Sequence, residues 1–339
     1  MRRSLMLDSG AYTVWTKGSF IDLEEYIHFC TQHPKISYYV NLDVIPGSFG
    51  ARSIASAAEV EECASQGWKN YIQMTKSLPL EKVIPVFHCG ESFSWLERML
   101  DHGVPYIGIG FGVLRLSQDR LRWIKKLRKY LLDSSGDVIR KVHGFGLTSM
   151  KLMQCFPWYS VDSATWVQQG GRGVIYVPST TNGEFDFTKD PSIIAVSDVS
   201  PCRGDFNGHI STLSPLVKER VDKFLEECQI PYGVSEQVDV PEGYKLRIGF
   251  ERWAVKGKRI VRVSQKGIMT CDQRRKLANA LFFIRVGRAL PLRLYLAGMG
   301  LKPKVERVVE NRLLSYIEVK AGGNKALKWH MNNTEQPND

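Results

Sequence analysis

KVIPVFHCG (82–90), SFSWLERMLDHG (92–103) and PYIGIGFG (105–112) follow one another along the chain. Two short apolar runs that end in glycine flank a longer amphipathic stretch, which is how parallel strands joined by a helix read. The same rhythm extends both ways. Upstream lie SLMLDSG (4–10) and ISYYVNLD (36–43); downstream lie VHGFGLTS (142–149) and YSVDSATW (159–166). Helical segments such as LEEYIHFCTQH, IASAAEVEECASQG and SQDRLRWIKKLRKYLLDS separate them. NYIQM (70–74), GVIYVP (173–178) and IIAVSDV (193–199) are further strand candidates. Six to nine strands in this order predict an α/β fold of the (β/α)8 TIM-barrel type, regular or irregular, over residues 1–230.

After about residue 200 the rhythm changes. SPLVKERVDKFLEECQ reads as a closing helix, and PYGVSEQVDVPEGY as a connector punctuated by Pro and Gly. A small α+β region is expected over 240–330, with strands around a Lys256-Gly257-Lys258 turn and then two helices.

Of the 339 residues, 43% are hydrophobic and 24% charged, which excludes disorder for most of the chain. No run approaches the roughly 18 apolar residues of a membrane span, and the apolar stretch before Asp8 is too short for a signal peptide. Seven scattered cysteines are an odd number in a chain large enough to fold without staples, so they read as reduced thiols of a cytoplasmic protein. The net charge of +11 is unevenly placed. Residues 240–328 hold 21 basic and 6 acidic side chains, against 25 and 29 elsewhere. Such a surface attracts phosphate backbones by counterion release, so nucleic acid is the expected partner and a membrane is not. Arg247, Lys256, Lys258, Arg259, Arg274, Arg275 and Lys276 are its candidate contacts, and Arg172 in Gly170-Gly171-Arg172-Gly173 is another. Solvation of a small domain would account for the same charges.

Polar residues and glycines cluster at the trailing edge of the expected strands: Asp8-Ser9-Gly10, Asn41-Leu42-Asp43, His88-Cys89-Gly90, Gly108-Ile109-Gly110, His143-Gly144 and Asp162-Ser163. Each alone is an ordinary turn or helix-cap signal. In a barrel all of them converge on the face where active sites are built. Half-buried carboxylates grouped there can divide into a nucleophile and a proton-transfer group. His143, ending an apolar strand, reads as a satisfied core histidine, and Met150 to Met153 as helix core.

Taken in order, Asp8-Ser9-Gly10-Ala11-Tyr12, Asn41-Leu42-Asp43, Phe87-His88-Cys89-Gly90, Gly108-Ile109-Gly110, Gly144-Phe145-Gly146 and Ser160-Val161-Asp162-Ser163 resemble the strand-end motifs of the tRNA-guanine transglycosylase superfamily. The likeness covers about residues 4–166. It departs from the family in reading His88-Cys89-Gly90 where the family has Val-Gln-Gly, and in lacking the Cys-x-Cys-x-x-Cys zinc motif. A smaller chain without that motif is more similar to the DpdA-like branch, the DNA-guanine transglycosylases of bacteriophages and genomic islands.

The resemblance implies exchange of guanine in DNA for a 7-deazaguanine such as preQ0, in a host cytoplasm, without metal or cofactor. It implies Asp162 as nucleophile at the sugar C1′ and Asp8 as the proton-transfer group. Asp43 would recognise the purine edge, Tyr12 stack on its face, and Gly108 and Gly110 let the backbone approach it. Ser9, Gly10 and Gly144 would complete the base pocket, with His88 or Cys89 either substituting as a hydrogen-bonding group or buried in a structural role. A tRNA substrate, or a barrel that binds nucleic acid without catalysis, would fit much of the same sequence.

Overall fold

The computed structural model describes residues 4–47, 55–111, 117–198, 207–239 and 259–290. Two compact units divide the described residues, one ending at Asp162 and one beginning at Ser163.

The first unit is α/β. Its order is β1 (Met6–Leu7), α1 (Ala11–Lys17), α2 (Leu23–Gln32), β2 (Tyr38–Val40), α3 (Ala57–Thr75), β3 (Val83–Ile84), β4 (Val86–His88), α4 (Phe93–Asp101), β5 (Tyr106–Gly110), α5 (Ser117–Leu131), β6 (Lys141–Gly144), α6 (Met150–Gln154) and β7 (Ser160–Val161). Every strand pairing here is parallel, in the orders β1-β2-β3 and β4-β5-β6-β7. The two ladders meet at Pro85, which has no N–H to donate. Its carbonyl still accepts the Gly108 N–H at 2.8 Å, while the Ile84 carbonyl accepts the Asn41 N–H at 2.8 Å. Residues 83–88 therefore serve β2 on one side and β5 on the other, so the strands lie side by side in chain order.

Alternation gives the sheet two apolar faces, as buried parallel strands require. On one, Phe87 packs against Phe93 and Trp123 of the covering helices. On the other, Met6, Val40, Ile84, Val86 and Tyr106 form a buried cluster joined by Tyr38, Phe145 and Tyr159. The helices start where short polar side chains satisfy free backbone donors: Asp22 accepts the Glu25 N–H and Ser56 the Glu59 N–H. NYIQM is not a strand but the second half of α3. Tyr71 and Met74 are fully buried there, and Asn70 donates to the Leu42 carbonyl at 2.7 Å. Gly67 does not end the helix, and Tyr71 and Met74 continue the buried stripe of Ala64 at helical spacing.

The second unit contains α7 (Thr165–Gly171), β8 (Val174–Val177), β9 (Ser179–Thr181), β10 (Glu184–Asp186), β11 (Ser192–Ala195), α8 (Pro215–Cys228), β12 (Val234–Asp239), β13 (Arg259–Gln265) and α9 (Asp272–Ala289). Its strands pair antiparallel. The expected strands near 173–178 and 193–199 exist as β8 and β11 but pair with each other. VSEQVD, read from its Pro and Gly neighbours as connector, is β12, and its alternating residues pair with β13. Asn182 and Gly183, at φ 52° and 81°, turn β9 into β10 in the conformation a two-residue hairpin needs.

The division between units thus falls after Asp162, earlier than the boundary near 230–240 expected from the sequence. Residues 166–177 are held to α9 by Asn279, which accepts the Tyr176 N–H and donates to the Val174 and Trp166 carbonyls. The proposed turn at 256–258 and the second C-terminal helix lie outside the described residues. No helix among the described residues is long and apolar enough to cross a membrane.

Arg275 was expected on a phosphate-binding face, but it is fully buried in the second unit. Its Nε donates to the Gly170 carbonyl and its Nη1 to the Ile268 carbonyl, each at 2.7 Å. Replacing Arg275 with Met strands both carbonyls, so urea unfolding should report a loss of about 3 kcal/mol, whereas exposed Arg274→Ala should stay within about 0.5 kcal/mol.

Candidate active site

Successive side chains of a strand point to opposite faces, so residues two apart share one. Asp8 therefore follows Met6, His88 follows Val86, His143 follows Lys141, and Gly108 and Gly110 follow Tyr106 onto the face of the buried cluster. All stand at the C-terminal ends of the parallel strands, where the helices of an α/β sheet leave ligand room.

At β1 the chain must turn at once into α1. Gly10 does so at φ 79°, and buried Ser9 accepts the Ala11 N–H at 3.3 Å. Both are thus accounted for by the turn. Tyr12 is 57% exposed, its ring 5.7 Å from that of Trp15. Trp15 in turn donates to the Gly47 carbonyl beyond β2. Asp8 is half-buried. Burial, followed by the charges of Cys30, Asp8 and Asp43, raises the Tyr26 phenol well above its ordinary range.

Asp43 and His88 form the first close pair, with Oδ2 and Nε2 2.7 Å apart and side chains 9% and 8% exposed. Burial opposes the imidazolium, but the hydrogen bond and charge of Asp43, helped by Glu91, outweigh it and raise the His88 pKa. The ring lies over Gly110, where a Cβ would come within 2.3 Å of Nδ1. Gly110 is small to seat this histidine. Glu91, 7% exposed, is pushed up to about 7, chiefly by burial, against the opposing influence of His88.

The second pair belongs to β6 and β7. Asp162 Oδ1 accepts the Gly146 N–H at 3.0 Å and lies 3.3 Å from His143 Nε2. His143 Nδ1 is 2.6 Å from Ser160 Oγ, which is 2.5 Å from Tyr106 Oη. Phe145 packs edge-on to the imidazole, with centroids 4.4 Å apart. His143 is a satisfied histidine, as its apolar strand indicated, yet its partner is the candidate nucleophile. The signal was available: Ser160 and Asp162 are two apart and so share one face of the neighbouring strand.

Three expected base contacts have other surroundings. Cys89 is 2% exposed and its thiol is pushed up to about 12 by burial, against the charges of Arg120 and Lys126 on α5. It faces the helices, opposite to His88, because the strand alternates. A Cβ on Gly108 would lie 2.6 Å from Phe145, and one on Gly144 2.4 Å from Leu147. These glycines make room for side chains of the protein.

Among the basic candidates, Arg247, Lys256 and Lys258 lie outside the described residues. Arg259 opens β13 opposite Asp239. Arg172 is exposed, but it caps the C-terminal end of α7, where carbonyls rather than N–H groups gather. Lys276 is paired with Asp272 at 2.6 Å, and Arg274 is exposed on α9.

No family model matches this chain, and no curated protein matches it.

Glu91 supplies a pH test with a definite sign. Its folded pKa of about 7 exceeds the ordinary 4.5, so the folded state holds a proton that the unfolded chain has lost between these values, and stability falls as pH rises through that window. Glu91→Gln removes this dependence. Thermal unfolding should show the variant gaining about 2 kcal/mol relative to the parent between pH 4.5 and pH 8; an equal difference at both pH values would contradict the assignment.

Proposed function

We propose that this protein is a base-exchange transglycosylase that replaces guanine in DNA with a 7-deazaguanine of the preQ0 kind through a covalent aspartyl-nucleoside intermediate. The observation that carries the reading is the Asp162 carboxylate, set at the end of β7 with one oxygen engaged by the Gly146 N–H and His143. The proposal includes a (β/α)8 barrel, for which parallel strands in chain order, with helices between them, are the support.

The target nucleotide must leave the stack before its C1′ can be reached. Asp162 attacks C1′ through the oxygen not engaged by Gly146, the C1′–N9 bond breaks, and guanine departs with a proton supplied by Asp8. The incoming deazaguanine gives up its own N9 proton to Asp8 and displaces Asp162, so configuration is retained and no backbone bond is cut. Asp43 receives the N–H edge of the base through Oδ1, because Oδ2 is taken up by His88. The excess positive charge of residues 240–328 supports a polyanionic substrate.

The test is mass spectrometry of nucleosides from duplex DNA incubated with the protein and preQ0. A deazaguanine deoxynucleoside together with released guanine is expected; modification of tRNA alone would move the substrate to RNA, and no exchange in either polymer would overturn the reading. Asp162→Ala should abolish exchange while DNA affinity stays within about twofold, since only the covalent step is removed. Asp8→Asn should lose turnover, whereas Asp43→Asn should chiefly raise KM for the free base. Steady-state kinetics with varied base would separate the two.

A further inference from the structure

Tyr106, Ser160, His143 and Asp162 form a hydrogen-bonded row, and its two ends determine where every proton sits. Tyr106 is 1% exposed and its phenol is raised by burial, so the hydroxyl keeps its proton. Among the described residues Ser160 Oγ is the partner of Tyr106 Oη, so Tyr106 must donate to Ser160. Ser160, now an acceptor on that side, gives its own proton to His143 Nδ1. Nδ1 then carries no hydrogen, and the proton of the neutral ring is on Nε2. Nε2 faces Asp162 Oδ1, an atom that can only accept when the carboxylate is ionised. The assignment made from the phenol inward thus agrees with the one made from the carboxylate outward.

The reverse arrangement fails at the buried end. A proton on Nδ1 would donate to Ser160, the serine would donate to Tyr106, and the buried phenolic hydrogen would be left with no acceptor among the described residues, which costs free energy. Lys141 lies on the same face of β6, but its ammonium sits over the Tyr38 and Tyr159 rings and donates to the Tyr38 hydroxyl. Lys141 therefore supplies no acceptor.

We propose that Tyr106 and Ser160 are positioning residues that fix His143 as the neutral Nε2–H tautomer and so present it to Asp162 as a hydrogen-bond donor rather than as a base or a counter-ion. A neutral donor steers one carboxylate oxygen without drawing off the negative charge that makes the other nucleophilic. The role assigned to Asp162 rests on the proposed transglycosylase reading; the proton arrangement does not.

Nitrogen NMR of the full chain with 15N-labelled histidine, with His143 assigned by His143→Gln, tests both parts. At neutral pH the parent should show His143 with a protonated Nε2 and a bare Nδ1. Ser160→Ala should lose that signature, and Ser160→Thr, which keeps the hydroxyl, should retain it; Tyr106→Phe should weaken it. A His143 protonated on Nδ1, or on both nitrogens, in the parent overturns the proposal. In base exchange Ser160→Ala should lower kcat by about tenfold or more with KM for the free base unchanged, and Ser160→Thr should recover most of it. A Ser160→Ala enzyme with the parent's kcat would overturn the positioning role even if the tautomer is as expected. Should the parent exchange no base at all, the transglycosylase reading falls, while the NMR result still decides the proton arrangement.

Discussion

A carboxylate at the mouth of a buried parallel sheet loses much of its water and must be compensated where it stands. Asp43 and Asp162 are each compensated by an imidazole from the adjacent strand, His88 on β4 and His143 on β6. Both pairs depend on the parallel register, which brings the strand ends, with Asp43 just past β2 and Asp162 just past β7, to the same end of the sheet. That register depends in turn on residues 83–88, a strand shared by two ladders on either side of Pro85. The glycines nearby serve the same arrangement: Gly110 seats His88, and Gly108 lies under the Phe145 ring that packs against His143.

The two pairs are built for different ends. His88 stands against two carboxylates, Asp43 and Glu91, and its pKa is raised despite burial. That pair concentrates titratable groups where a base edge would be read. His143 meets a hydroxyl on one nitrogen and a carboxylate on the other, in a row that ends in a buried phenol. That pair holds one carboxylate oxygen in place. Under the proposed transglycosylase reading this separation has a use, since the groups that would read the base exchange protons while the nucleophile must keep its charge.

The strands and most helices of the first unit were legible because apolar runs and amphipathic periods alternate there without ambiguity. NYIQM was not, since Tyr71, Ile72 and Met74 fit a strand as well as a helix and only their helical spacing from Ala64, across Gly67, decides. The polar residues do gather at one end of the sheet, as their positions at strand ends indicated, but the sequence did not show which of them meet. His143 looked like core because its strand is apolar, and its meeting with Asp162 comes from pairing with β7. Cys89 faces the helices, which alternation assigns only once the strand's inner side is known, whereas Gly108 is on the inner face but is covered by the Phe145 ring, which lies far from it in sequence. Arg275 counted as one more positive charge, and nothing local to Arg274-Arg275-Lys276 reveals that the middle residue is buried against carbonyls. The antiparallel second unit was masked by β8 and β11, whose apolar runs carry no sign of pairing direction.

Peptide mapping of the protein quenched in denaturant during incubation with DNA and the deazaguanine base tests whether Asp162 is the nucleophile. A DNA strand linked through a deoxyribose C1′ to the peptide that contains Asp162 is expected, and is absent when the base and DNA are omitted. Attachment at Asp8 or Asp43, or turnover with no attachment anywhere, would contradict it.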